Sequence, residues 1–310
     1  MLSSQQRLNG IMGVLIAAIL WGTTGTAATY APDLSPLAVG AVAMGIGGLL
    51  QGLIAATTII RQRQLISRHL HYVLTGAVAV AVYPLAFYAS MRYAGVTVGT
   101  VISIGSAPLL SALIEYRFER TRLTKQWMCG AALGVGGMML LCLAESNGSN
   151  SLNDRGMTGI FLGLLAGFTC ALYSWSARRL MQARVAARAA MGVTFGIGGI
   201  LLMPVLLMTG APLLAAWNNA AVGIYMALVP MFVGYICYGY GLARIPASMA
   251  TTITLLEPVI AALLAVLFVG ERLPFSGWAG VALIVACLGV ITAPTKKCPF
   301  SAARHRADVI

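Results

Sequence analysis

The chain has 310 residues, of which 59% are hydrophobic and only 9% are charged. A soluble domain carries roughly 25% charged residues, so this composition excludes an ordinary soluble protein and predicts one that crosses a membrane several times. The net charge of +12 would suit a nucleic-acid partner. The basic residues, however, lie in short loops between apolar runs, so we expect no nucleic-acid partner.

Ten apolar runs predict ten transmembrane helices. Each has about twenty residues, which is enough for a helix to cross a hydrocarbon core of ~30 Å. A membrane β-barrel would show strands of ~10 residues with alternating polarity, which these runs do not. The runs are residues 10–30, 37–60, 71–91, 96–114, 126–144, 157–177, 189–209, 219–242, 247–269 and 274–293.

Basic residues fall almost entirely on one side of this predicted arrangement. Of the 20 Lys and Arg residues, only Arg92, Arg155 and Arg272 fall in loops on the second side. Loops rich in Lys and Arg stay in the cytoplasm, so the pattern predicts that both termini are cytoplasmic. We therefore expect a multi-pass protein of the bacterial inner membrane, with the lipid bilayer as its surroundings.

In the first half of the chain, spans one, three and four carry the aromatic and hydroxyl side chains of interest. Such side chains combine apolar area with a polar group and suit a cavity for a small amphipathic molecule, although rings near span ends are also typical of membrane interfaces. Arg92 ends span three. It could gather an anionic carboxylate, but we favour an interface arginine whose charged head reaches water. The substrate-binding candidates of this half are Trp21, Thr24, Tyr83, Phe87, Tyr88 and Ser103.

In the second half, spans six, eight and nine carry the corresponding side chains. Glu257 is distinctive because it is a carboxylate in the middle of the apolar ninth run. Such a group is costly in a membrane and usually marks a functional path. The substrate-binding candidates of this half are Tyr173, Trp175, Tyr235, Tyr238, Thr254 and Glu257.

Two interpretations of Glu257 are open from the sequence. It is a candidate coupling group that faces a cavity and responds to protons or another cation, or it is a glutamate whose hydrogen bonds lock neighbouring helices together. Pro258 follows it and Pro108 lies in span four. Proline removes a backbone hydrogen bond, so both residues predict a helix kink, and the carbonyls freed there could meet a substrate or water.

The two halves of the chain resemble each other at an offset of about 150 residues. Residues 101–113 resemble residues 251–263, so that Pro108 coincides with Pro258, and the start of the first run near Gly10 matches Gly159. Because each half has five spans, an odd number, the second half would be inserted upside down, which is a transporter architecture. The predicted division is a first five-helix repeat at 1–145, a second at 156–295 and a cytoplasmic tail at 296–310.

These motifs also resemble a known family over nearly the whole chain. The sequence is similar to the drug/metabolite transporter superfamily, in the branch built of two EamA-type domains. The likeness rests on the cores of spans four and nine with Pro108 and Glu257-Pro258, on Gly270-Glu271-Arg272-Leu273, on the glycine-rich stretches after Trp127 and Trp278, and on Trp21-Gly-Thr-Thr-Gly25. The resemblance implies ten helices, a central cavity and secondary export of small metabolites, often amino acids. Ala107 and Thr121 stand where the second half has Glu257 and Glu271, so any coupling charge would be single.

The sequence lacks the residue patterns that metal sites, cofactor sites and catalytic sites usually need. The histidines and lysines lie outside the predicted spans or at their ends, the six cysteines have no paired spacing, and no phosphate-binding glycine loop is present, so we expect no metal, no cofactor and no catalytic role. We predict an all-α integral membrane protein with ten transmembrane helices, arranged as two inverted five-helix repeats around a central cavity. It would export small metabolites such as amino acids by alternating access, with protons as a candidate partner. The alternatives are an uncoupled facilitator or channel of the same fold, a membrane enzyme or a lipid flippase.

Overall fold

The computed structural model describes residues 4–120, 124–145, 154–269 and 274–293, and these contain helices and connecting turns but no strand. Ten long helices are numbered here in chain order. They are α1 (Ser4–Ala28), α2 (Pro36–Arg61), α3 (Leu70–Ala94), α4 (Val96–Glu119), α5 (Lys125–Glu145), α6 (Asp154–Gln182), α7 (Ala187–Thr209), α8 (Trp217–Leu242), α9 (Ala247–Phe268) and α10 (Phe275–Thr292). The short helix Arg63–Arg68 joins α2 to α3.

The helices have the dimensions and the surface of membrane-spanning segments. Within the described ranges, nine of them are long and apolar enough to cross a bilayer. The remaining helix is α5, and its length is 21 residues. Large apolar side chains face outward, as Leu53, Leu207 and Phe275 do. Such exposure is tolerated where lipid rather than water surrounds the protein. The predicted class, an all-α integral membrane protein, is confirmed.

The described helix ends that face the predicted cytoplasm meet at one end of the bundle, which we call the basic end. There Arg7 of α1 lies 4.0 Å from the sulfur of Met249 in α9. The side chain of Gln62 accepts a hydrogen bond of 2.9 Å from the backbone N–H of Ala186, which joins the end of α2 to the start of α7. The opposite end holds the end of α1, the end of α3 and the link between α7 and α8.

Glycines allow two helix pairs to pack closely. A Cβ atom at Gly48 would lie 2.4 Å from the carbonyl oxygen of Phe195, and one at Gly192 would lie 2.3 Å from the Cβ of Ala55, so α2 and α7 touch almost backbone to backbone. A Cβ at Gly137 of α5 would lie 2.7 Å from the carbonyl oxygen of Gly280 in α10. Small residues at such contacts drive helix association in membranes, where the hydrophobic effect between helices is lost.

Helix α9 is interrupted before the predicted proline kink. A turn at Thr254 and Leu255 separates its first part from the part that begins at Leu256. Pro258 has no N–H to offer the carbonyl of Thr254, and that carbonyl instead accepts a hydrogen bond of 2.9 Å from the N–H of Glu257. Helix α4 continues through Pro108. The Gly270–Leu273 motif and the tail 296–310 lie outside the described residues.

Candidate functional site

A cavity of about 610 Å³ is lined by residues of α1 to α5, α8 and α9, and we call it the central cavity. It reaches the end of the bundle opposite the basic end, because Ala28 at the end of α1 and the link after it form part of its wall. Most of its lining is apolar. Five of the predicted substrate-binding residues line it, together with Pro258: Trp21, Thr24, Phe87, Tyr88 and Glu257.

Glu257 lies in the wall of the central cavity, half-buried. Within the described ranges, no hydrogen bond to its side chain is formed. Gly22 explains how α1 comes so close to it, because a Cβ there would lie 2.5 Å from Ile260 and 2.8 Å from the backbone oxygen of Glu257. No hydrogen bond therefore ties the carboxyl group to a neighbouring described helix, and its residue lies in the cavity wall.

Arg92 also lines the central cavity, and its side chain is exposed at the mouth. The sequence favours a membrane-interface arginine, and the structure, which puts Arg92 on the wall of the same cavity as Glu257, is compatible with both interpretations. The signal that could have indicated this was its position one helical turn after Tyr88. Among the described residues that line the cavity, Arg92 is the one basic residue and Glu257 is the one acidic residue.

Below Glu257, toward the basic end, four aromatic side chains form what we call the aromatic floor: Trp21, Tyr173, Tyr235 and Tyr238. The last three are at most 3% exposed. The ring centroid of Trp21 lies 4.7 Å from that of Tyr235 and 5.3 Å from that of Tyr238. The hydroxyls of Tyr173 and Tyr235 are 3.1 Å apart. The floor fills the bundle interior beneath the cavity.

The remaining predicted site residues lie outside the cavity lining. Tyr83 bridges cavity and floor, with ring centroids 5.8 Å from Phe87 and 5.8 Å from Tyr173. The hydroxyl of Thr254 donates to the carbonyl of Thr251 at 2.8 Å, and Ser103 is buried in α4. Trp175 lies nearer the basic end, where its indole N–H donates to Glu119 at 3.1 Å.

A second buried carboxylate, which the sequence interpretation missed, lies near the basic end. Glu115 of α4 is 4% exposed and accepts hydrogen bonds from the first residues of α9. Its Oε1 accepts from the backbone N–H of Ala247 at 2.7 Å and of Ser248 at 3.3 Å, and its Oε2 accepts from the hydroxyl of Ser248 at 2.5 Å. The predicted fourth span ended at residue 114, so Glu115 was counted with the loop.

Arg178 of α6 was missed for the same reason, because the predicted sixth span ended at residue 177. Its guanidinium donates to the carbonyl of Leu242 at 2.8 Å and to the carbonyl of Ile245. The repeat alignment held a usable signal for the carboxylate: Glu115 stands opposite Ala265, as Glu257 stands opposite Ala107.

Comparison with known proteins agrees with this architecture. The model of the EamA-like transporter family matches residues 8–143 and 157–293, so the chain contains two EamA-like regions that together cover most of its length.

Three relatives are similar over long stretches. The uncharacterized transporter YwfM of Bacillus subtilis is 35% identical over 94% of this chain and 96% of its own length. A probable terminal-alkyne amino-acid exporter of Streptantibioticus cattleyicolor is 23% identical over 90% of this chain and 95% of its own length. The threonine/homoserine exporter RhtA of Escherichia coli is 26% identical over 66% of this chain and 65% of its own length. The chain belongs to the EamA-like transporter family.

Proposed function

We propose that this protein is a secondary transporter that exports small amphipathic metabolites, with amino acids as the substrate class, from the cytoplasm of a bacterial cell across the inner membrane. The observation that carries the proposal is that one glutamate, Glu257, and one arginine, Arg92, line the same otherwise largely apolar cavity. The names of two relatives, both amino-acid exporters, support the substrate class and the direction.

The charge pair matches the chemistry of a zwitterion. A guanidinium can bind a carboxylate through two parallel hydrogen bonds, and a carboxylate accepts hydrogen bonds from an ammonium group. In this proposal Arg92 at the mouth takes the substrate's carboxylate and Glu257 takes its ammonium group. Trp21, Phe87 and Tyr88 provide apolar and aromatic surface for the side chain. Small-molecule sites typically combine such surface with a few polar groups.

Alternating access is the mechanism that this arrangement supports. The cavity reaches one end of the bundle, while the aromatic floor fills the interior below it. An uncoupled channel would need a path open to both ends, so this observation favours a transporter.

We infer ten membrane-spanning helices in two inverted five-helix repeats, residues 1–145 and 156–295, which rock about the cavity. Glu257 is the proposed coupling group, with protons as the coupling ion, and both termini with the tail 296–310 would face the cytoplasm.

Reconstitution into liposomes tests this proposal. The purified protein is supplied with labelled amino acids under an imposed pH gradient, and matched decarboxylated amines serve as the comparison. We expect uphill, gradient-dependent movement of zwitterionic amino acids and at least about tenfold slower movement of the amines, which cannot pair with Arg92. Movement that only follows the substrate gradient would support a facilitator instead. Failure of every small metabolite to move would contradict the proposal.

A further inference from the structure

Two charged side chains hold the link between α8 and α9 at the basic end. The link follows Leu242, the last residue of α8, and α9 begins at Ala247. Glu115 accepts hydrogen bonds from the first two N–H groups of α9 and from the hydroxyl of Ser248. A carboxylate is favourable there because the N–H groups of a first helical turn have no partner within the helix.

Arg178 holds the other side of the same link. It donates to the carbonyls of Leu242 and Ile245, and the last carbonyls of a helix favour a cation. Its Nε is buried without a hydrogen-bond partner in the part of the chain that the structure describes. The guanidinium therefore has unused donor capacity, and the carboxylates of Glu115 and Glu119 lie close enough to interact with its charge.

The two charges are carried by helices that pack against each other. Glu115 lies on α4 and Arg178 on α6, and a Cβ at Gly167 of α6 would lie 2.8 Å from the backbone oxygen of Ser103 in α4. This pair of helices contacts the α8–α9 link from one side through these two side chains. In this structure these contacts lie at the basic end beneath the aromatic floor, while the central cavity reaches the other end.

The repeat positions that correspond to Glu115 and Arg178 carry uncharged residues. At the offset of about 150 residues, the α8–α9 link corresponds to the link between α3 and α4, near Arg92. The residue that corresponds to Glu115 is Ala265, and the offset of the first helices places Thr29 opposite Arg178. Alanine cannot accept the hydrogen bonds that Glu115 accepts, and threonine carries no charge for terminal carbonyls.

We propose that Glu115 and Arg178 are positioning residues that form a one-sided clamp on the α8–α9 link, and that this clamp holds the basic end closed and favours the state whose cavity faces the other end. The inference rests on the proposed alternating-access function. It adds that the two access states are unequal in energy without substrate, because the equivalent positions for the other state, Ala265 and Thr29, carry no charge with which to form the same clamp. The clamp must open in each transport cycle for the cargo to enter from the basic end.

Thiol accessibility from the two membrane faces tests the clamp without any substrate. The six native cysteines are changed to alanine, and one reporter is introduced per protein. Thr251→Cys reports on the closed region, since Thr251 is buried in the first part of α9, and Thr24→Cys reports on the central cavity. A charged, membrane-impermeant thiol reagent is applied to inside-out and right-side-out vesicles.

We expect Glu115→Gln and Arg178→Gln to change the two reporters in opposite directions. Labelling of Thr251→Cys from the basic face should become at least about tenfold faster, because a charge-assisted clamp is lost, while labelling of Thr24→Cys from the other face becomes slower. Ser248→Ala, which keeps both backbone contacts, should have a smaller effect. Arg61→Gln is the control, because it removes an exposed charge at the end of α2, at the same end of the bundle.

Opposite changes distinguish a shift between two states from local loosening, which would speed labelling of Thr251→Cys without slowing that of Thr24→Cys. Size-exclusion profiles and melting temperatures in detergent identify variants that fail to fold. If Glu115→Gln and Arg178→Gln fail to fold, the labelling rates of the two reporters in Ser248→Ala provide the test, and they should change in the same directions by a smaller factor. Unchanged labelling of both reporters in folded Glu115→Gln and Arg178→Gln proteins, or loosening alone, would overturn the clamp. Because labelling needs no cargo, this result is independent of whether amino acids are transported.

Discussion

At the scale of single residues, Glu257 and Arg92 line the same cavity but differ in how far their side chains are exposed. Glu257 is half-buried in the wall and its side chain makes no hydrogen bond within the described ranges, whereas Arg92 is exposed at the mouth. A glutamate that merely locked helices would need a donor on a neighbouring helix, and the described neighbours provide none. The geometry thus favours the first of the two interpretations that the sequence left open.

Glu257→Gln should reduce gradient-driven amino-acid transport at least about tenfold, because the neutral amide cannot form an ion pair with an ammonium group or exchange a proton. Initial rates in proteoliposomes at several imposed pH gradients measure the effect. Arg61→Gln removes an exposed charge outside the cavity and should leave the rates unchanged. A Glu257→Gln protein with the parent's rate and pH dependence would remove Glu257 from the coupling role.

Arg92→Gln should raise the half-saturating concentration of amino acids about tenfold or more, while leaving the slow movement of matched amines without a carboxylate almost unchanged. The reason is that only the carboxylate would contact this guanidinium. Concentration series for an amino acid and its amine, measured side by side, give the comparison. Arg61→Gln at the basic end is the control. Equal losses for acid and amine would show that Arg92 does not select the carboxylate.

The position of each residue within its span explains why some site residues are predictable from the sequence and others are not. Glu257 was conspicuous because apolar residues surround it in the sequence, and Trp21, Thr24, Phe87 and Tyr88 followed from their place in the spans. Glu115 and Arg178 lie at span ends, where charges ordinarily meet water. Their partners are backbone groups of a distant link, and no local pattern encodes such a contact.

At the scale of helices, long apolar runs made the elements predictable, because few other structures satisfy every backbone group in lipid. The interruption of α9 was less predictable from the sequence. Pro258 predicted a kink at its own position, yet the helix breaks at Thr254 and Leu255, where the carbonyl left without its usual donor takes the N–H of Glu257 instead. The break places Glu257 in the first turn of the second part of α9.

The α2–α7 contact gives a prediction at this scale. Gly48→Val should lower the free energy of unfolding by roughly 1–3 kcal/mol, since the new side chain would overlap the backbone of Phe195 and force the helices apart. Gly136→Val is the matched control, because no atom lies within 4 Å of a Cβ at Gly136 and both changes carry the same helix-propensity cost. Melting temperatures in detergent compare the two. Equal shifts would mean that close packing at Gly48 does not stabilise the bundle.

At the scale of the whole molecule, the number of membrane crossings decides which face each terminus occupies. Helix α5 lies along α10 in opposite direction: Gly137 meets Gly280, and Gln126 at the start of α5 donates to the carbonyl of Ala293 at 3.0 Å. Helix α4 ends near the basic end and α5 begins only a few residues later, so α5 starts there too. Since α10 is apolar and long enough to span the bilayer, its close antiparallel neighbour α5 should span it as well.

Ten crossings place the start of α1 and the end of α10 on the same face, whereas nine would place them on opposite faces. We expect a green fluorescent protein fused after residue 293 to be fluorescent and an alkaline phosphatase fused there to be inactive, because both report a cytoplasmic end. The same fusions in the link between α7 and α8, near Gly210, should give the reverse result and serve as the internal control. Active phosphatase after residue 293 would mean that α5 does not cross, which would remove the inverted five-helix repeats and with them the structural basis for alternating access.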